Sequence, residues 1–196
     1  SVLYHTSLNI DEPKILSQML TGGFFVLTQV AGISHLTPDY EKVLKIGFIG
    51  IKKEIKQNLK KEGLSKKQKL FYDSGITCCD AAIMFAKRWH NKLLNEAEKE
   101  TDQERKTELL TLAGIFKNIP ERPAETFYEA LQSIMITHTM VHQENFQHGV
   151  SFGQLDKMLY PYYKSDLKND LITPDKAVEL LGCFMGKAAE LLPLFF

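Results

Sequence analysis

The chain has 196 residues, 44% of them hydrophobic and 24% charged, with 24 Lys+Arg set against 24 Asp+Glu. That length favours a single core, and an apolar share of this size at zero net charge excludes a wholly disordered chain. The balanced charge provides no field to draw the protein to nucleic acid or an anionic membrane, and apolar runs such as Leu191–Phe196 are too short to span a bilayer.

Most of the sequence reads as helix. Asp11-Glu12-Pro13 is a start signal with proline at the first helical position, and that helix runs to about Leu20 before Gly22-Gly23. The short apolar, partly β-branched stretch Phe24–Thr28 reads as a brief strand. Thr37-Pro38-Asp39 opens the next helix, whose apolar stripe is Leu44, Phe48, Ile51, Ile55 and Leu59, and Gly63 ends it. Ser65 caps a long helix from about Lys66 to Glu98, with Leu70, Ile76, Ala82, Phe85, Ala86, Trp89 and Leu93 as its buried face. A further helix spans about Asp102 to Lys117. Pro120 and Pro123 break the chain, and Pro123 is placed at the start of a helix reaching about Gln143. Asn145–Gly153 carries glycine without periodicity and reads as loop, with a short strand at Val150–Phe152. Leu155–Tyr163 reads as a short helix ended by Pro161, and Thr173-Pro174-Asp175 starts a last helix to about Leu192. The fold expectation is therefore mainly α with at most a few short strands. Its core is drawn from Leu44, Phe48, Ile51, Ile55, Phe85, Trp89, Leu110, Phe127, Leu131, Ile134, Leu180 and Leu181.

Four features could carry chemistry. Ten lysines fall between Lys42 and Lys69. Glu41, Glu54 and Glu62 interleave with them, and no arginine or aromatic partners accompany them, so a solvated helix face is expected. His138 and His142 stand four apart on a helix, a spacing that lets both rings reach one metal ion. The glutamate of the zinc-hydrolase pattern does not lie between them, and packed or cleft histidines are the plainer reading. Cys78, Cys79 and Cys183 form neither a zinc framework nor a disulfide scaffold. They read as small packing residues in a protein of the reducing cytoplasm. Gly149, Ser151 and Gly153 do not have the spacing of a phosphate loop. The chain begins on a polar stretch without the basic and apolar regions of a secretory leader. It ends on apolar residues, Leu191 to Phe196, which read either as a docked end or as the edge of a longer polypeptide.

Four linked stretches resemble one family. Glu100–Leu110 reads ETDQERKTELL, Ile115–Gln132 reads IFKNIPERPAETFYEALQ, Gln143–Tyr163 reads QENFQHGVSFGQLDKMLYPYY, and His35–Ile51 reads HLTPDYEKVLKIGFIGI. In their order and spacing along the chain, with His35–Ile51 upstream of the rest, they resemble the glycyl radical enzymes, the pyruvate formate-lyase-like family. The likeness is to the branches acting on glycerol, propanediol or choline more than to the pyruvate branch.

The resemblance implies a ten-stranded α/β barrel wrapped in helices, of which residues 1–196 would be a single partial domain from the helical layer. It implies a radical reaction: a radical S-adenosylmethionine activating enzyme installs a glycyl radical, a cysteine thiyl abstracts a substrate hydrogen, and dehydration or C–N cleavage follows. The family's "GCVE"-like thiyl loop and "RVxGY"-like glycine loop are not among these 196 residues. No catalytic residue is therefore assigned, no cofactor or metal is expected to be bound by this chain, and activity alone is expected to be nil. Two substrate-binding residues carry over. His35 matches the histidine of a "GH-x-x-PDY" motif, and His148 that of an "HS-x-S-x-GR" turn. Gly149 stands where that turn has a substrate-bonding serine, and Gln154 where it has arginine. The implied partners are the remainder of the enzyme chain, a second copy in a homo-oligomer, and the activating enzyme. The alternatives are a free-standing helical structural or interaction protein derived from the family, and a metal-binding helical protein built on His138 and His142.

Overall fold

The computed structural model describes residues 36–144 and 150–190. The expected helix at Asp11–Leu20 and strand at Phe24–Thr28 lie outside them. Six helices are described: α1 Tyr40–Leu59, α2 Lys66–Lys99, α3 Gln103–Asn118, α4 Phe127–Glu144, α5 Leu155–Lys168 and α6 Pro174–Glu190. Among the described residues no strand forms. The expected strand at Val150–Phe152 is reduced to one parallel bridge between Leu36 and Val150.

The helix starts follow from capping chemistry. A helix leaves its first N–H groups without intrahelical acceptors, and short polar side chains supply them. Asp39 accepts from the Lys42 N–H at 3.0 Å, and Asp102 from Glu104 and Arg105 at 2.8 and 3.0 Å. Ser65 and Gln68 form a reciprocal capping box. Thr126 and Glu129 do the same at α4, where Thr126 Oγ1 accepts from the Glu129 N–H and Glu129 Oε2 accepts from the Thr126 N–H. Asp166 adds a cap from a distant element: it is 4% exposed, and its Oδ2 accepts from the Phe127 N–H at 2.7 Å.

One backbone break organises the molecule. At Gly47, α1 leaves helical geometry with φ 62° and ψ 173°. The N–H of Phe48, which a continuous helix would point at Leu44, instead donates to Pro120 O at 2.9 Å, and that of Ile49 to Glu121 O at 3.0 Å. The freed Leu44 carbonyl accepts from Ala124 N at 3.0 Å and from the Tyr162 hydroxyl. The proline-containing linker between α3 and α4 is thus hydrogen-bonded into the gap in α1.

Three apolar clusters hold the helices together. The largest joins Tyr40, Leu44, Phe127, Leu131, Ile134, Leu159, Leu180 and Phe184 from α1, α4, α5 and α6. A second links Ala86, Ile115, Ile119 and Ile136, and a third Leu93, Ala97, Leu109 and Ala113. The buried seam of α2 is rich in alanine (Ala82, Ala86 and Ala97), α3 contributes Ala113, and His90 Nδ1 adds a 2.7 Å hydrogen bond to the Ala113 carbonyl.

Several expectations are corrected. Leu70, Trp89, Leu110 and Leu181 are exposed, not core. The buried seam of α2 is Cys79, Ala82, Ala86, Leu93 and Ala97, so Trp89 falls outside it. There it packs edge-on to Phe85 with Lys92 over its ring. Phe48, Ile51, Ile55 and Phe85 are only half-buried. Cys79 is buried, whereas Cys78 and Cys183 are exposed. Pro123 does not begin α4, which starts four residues later, because the segment around it is occupied in bonding to the break in α1.

Pro161 does not end α5; it sits inside it. The carbonyl it leaves without a donor, that of Lys157, is on the exposed side. The half of α5 beyond it is anchored by Asp166 and by Tyr163 against Phe127. The lysine run is an exposed face with ion pairs Lys42–Glu54, Lys45–Glu41 and Lys52–Asp80. No helix of the described residues is long and apolar enough to cross a membrane.

Candidate functional site

Both residues carried over by resemblance, His35 and His148, lie outside the described residues, as does Gly149. What is described is the pair of chain segments into which they lead. Leu36, the residue after His35, bridges in parallel to Val150, two residues after His148. The Ser151 N–H donates to the Leu36 carbonyl at 2.9 Å. The turn that follows is pinned on both sides. Gly153 takes φ 75°, and a Cβ there would come within 3.1 Å of Thr37 Cγ2. A side chain at 153 would therefore meet backbone strain and crowding together. The ring of Phe152 inserts between Tyr40, His138 and Phe184, with centroid distances of 6.0, 4.2 and 5.0 Å.

Beside this pairing lies a cavity of about 410 Å³, walled by Thr37, Asp39, Tyr40 and Glu41 on one side and Phe152, Gln154, Lys157 and Met158 on the other. Gln154 precedes α5 without capping it. Its amide offers no bidentate cation for a carboxylate, as an arginine would.

Behind the cavity wall runs a hydrogen-bonded chain. Tyr40 is 1% exposed and His138 3% exposed. The Tyr40 hydroxyl lies 2.7 Å from His138 Nδ1, and His138 Nε2 lies 3.1 Å from His142 Nε2. Burial pushes the Tyr40 phenol pKa up, so it keeps its proton. Among the described residues its O–H has no hydrogen-bond partner other than Nδ1, so it donates there. A neutral His138 then carries its proton on Nε2 and donates to His142 Nε2. Burial lowers the His138 pKa to about 4, with the neighbouring His142 adding to the effect. Burial likewise lowers that of His142. Both rings are neutral at pH 7.

The His138–His142 spacing was legible in the sequence. Tyr40, 98 residues distant, was not, and no local signal joins it to them. Among the described residues no third histidine, cysteine or carboxylate joins the pair in a set that could hold a metal ion. Burial raises the pKa of the Cys79 thiol.

A family model described as pyruvate formate lyase-like matches residues 11–194. The isethionate sulfite-lyase of Nitratidesulfovibrio vulgaris is 40% identical over 210 residues, covering 98% of this chain and 25% of that protein. The glycerol-bound form of the B12-independent glycerol dehydratase from Clostridium butyricum superposes with a TM-score of 0.75 at 36% identity. That match covers 80% of this chain and 20% of the other. A glycyl radical enzyme from Archaeoglobus fulgidus gives a TM-score of 0.72 at 33% identity, covering 86% and 22%. The chain spans a fifth to a quarter of the length of the isethionate sulfite-lyases it matches.

Proposed function

The chain belongs to the pyruvate formate lyase-like family of glycyl radical enzymes, as a mainly helical segment, and from that membership we propose that it is the substrate-facing part of a lyase or dehydratase acting on a small molecule. In this reading residues 1–196 are one partial domain of a longer cytoplasmic polypeptide, whose remainder supplies the thiyl cysteine and the radical glycine. The glycyl radical, installed by a radical S-adenosylmethionine activating enzyme, supplies the hydrogen abstraction. This chain's own task is to bind and orient.

The observation that carries the reading is the pairing of Leu36 with Val150 and Ser151. It ties together the two segments that lead to His35 and His148, the residues assigned to substrate. An imidazole can donate to or accept from a substrate oxygen and fix its position. Relatives act on isethionate, (2S)-3-sulfopropanediol and trans-4-hydroxy-L-proline, so the family's substrates are small and oxygen-bearing. A polyol that relies on a serine hydroxyl would find none at Gly149, and an unpaired oxygen there costs ~1–3 kcal/mol. Small alcohols with fewer hydroxyls, and choline, are the substrates proposed.

The test is anaerobic turnover by the full native polypeptide after activation, across a panel of small alcohols, choline and hydroxysulfonates. His35→Ala and His148→Ala should each lower kcat/KM by roughly 10-fold to 100-fold, as expected for a lost substrate hydrogen bond. Undiminished turnover in both variants would remove the assignment.

A further inference from the structure

The Tyr40–His138–His142 chain is not used by the proposed chemistry, yet it touches the turn on which that chemistry depends. His138 sits at the junction of three elements. Its Nδ1 accepts from Tyr40 at the start of α1, its Nε2 donates to His142 one turn along α4, and its ring lies 4.2 Å from that of Phe152 in the turn. Phe152 directly follows Ser151, whose N–H makes the bond to Leu36. The hydrogen-bond directions are fixed, because the buried phenol donates and can accept from nothing else described. A second proton on His138 would set an N–H donor against the Tyr40 O–H donor and bury a cation among aromatic rings.

We propose that His138 is a positioning residue of the substrate site: its uncharged ring, held between Tyr40 and His142, latches the 150–153 turn against Leu36–Thr37, and uptake of a proton releases it. The proposal rests on the substrate-facing reading above for its purpose, but not for its physics.

The charged surroundings offer no compensation. Among the described residues His142 is the one titratable group acting on His138 by charge, and it acts against protonation. On α1, Asp39 is engaged with the Lys42 N–H and Glu41 with Lys45. The turn faces His138 with the phenyl ring of Phe152, which packs in turn on Phe184 of α6. The lowered pKa of His138 agrees with this geometry.

The test is hydrogen exchange of the full native polypeptide, read as protection of the peptide covering residues 150–153 and corrected for intrinsic exchange at each pH. No substrate or radical is needed, so failure of the substrate assignment would leave this readout intact, and the reverse holds too. In the wild-type protein protection should fall on the order of tens-fold between pH 7 and pH 4.5, from the proton linkage of one buried histidine. Over the same range peptides of α2 and α3 should stay protected. The double variant His138→Gln/His142→Gln keeps amide donors and acceptors at both positions but cannot titrate, and its profile should be flat. Should that variant fold poorly, the wild-type profile still decides. A flat wild-type profile, an equal loss of protection in α2 and α3, or a pH dependence that survives in the double variant would each overturn the proposal.

Discussion

Gly47→Ala is the substitution on which the backbone argument bears hardest. With φ 62° and ψ 173°, residue 47 occupies a region essentially reserved for glycine, and a side chain there costs about 1–3 kcal/mol in strain alone. The added Cβ would also stand 2.4 Å from Glu121 O and 2.6 Å from Arg122 C. Those are backbone atoms, so no rotamer change relieves the contact. If the linker backs away, the Phe48–Pro120 and Ile49–Glu121 hydrogen bonds lengthen or break, each at about 0.5–1.5 kcal/mol. The combined loss is roughly 2–6 kcal/mol, a large part of the ~5–15 kcal/mol that holds a typical domain folded. Urea unfolding of wild type and variant, with slope and midpoint both fitted, measures it. Gly114→Ala is the internal control. Gly114 lies inside α3 with open space where its Cβ would go, so alanine should stabilise by about 0.5–1 kcal/mol. A Gly47→Ala loss under about 0.5 kcal/mol, or a change of the same sign as at Gly114, would refute the reasoning.

Asp166→Ala should lower stability by about 1–3 kcal/mol in the same assay, because it leaves the buried Phe127 N–H without its acceptor. Ser133 is fully buried and its hydroxyl has no hydrogen-bond partner among the described residues, so Ser133→Ala should be neutral or stabilising by up to ~1 kcal/mol. A clear loss there would show that the hydroxyl is partnered after all. The histidine chain sets an acid limit. The folded pKa of His138 is held at about 4, below its unfolded value near 6.5. The unfolded chain therefore binds more protons between those values. The associated stability is full above about pH 6.5 and is lost as pH falls toward 4, amounting to roughly 3 kcal/mol at its limit. A melting temperature that stayed constant across that window would contradict the burial argument.

The helices were legible because their ends obey local rules. Asp39, Ser65, Asp102 and Thr173 each announce a start that the structure keeps. The break at Gly47 was not legible, since the apolar spacing from Leu44 to Ile55 runs through it without interruption. A single glycine is tolerated inside many helices; only the arrival of the 120–124 linker, far along the chain, gives it its role. Periodicity also identifies apolar stripes without saying which stripe meets a neighbour. In α6, Ala177, Leu180 and Phe184 are buried, while Val178, Leu181 and Met185 on the same helix are exposed. The sequence expectation of Leu181 as core fails for that reason. Pro161 illustrates tertiary override of a local signal, because Asp166 and Tyr163 anchor the part of the helix that proline was expected to stop.

The site divides in the same way. His35 and His148 came from motif likeness, and the Leu36–Val150 pairing between their segments could not be read from either segment alone. The four-residue spacing of His138 and His142 was visible, with packed or cleft histidines as its plainer reading and a metal pair as the alternative. Its reading as a hydrogen-bonded latch required Tyr40 and Phe152, brought in by the packing of α1 and the turn against α4.

The most direct measurement is the intact mass of the native polypeptide, by immunoblot of a lysate of the source organism with an antibody raised to this segment. As part of a glycyl radical lyase or dehydratase, the chain should appear in a polypeptide about four times its own length, in line with the relative of which it covers 25%. A native product of 196 residues, with no larger species, would contradict that account and leave a free-standing helical protein whose partner would have to be sought.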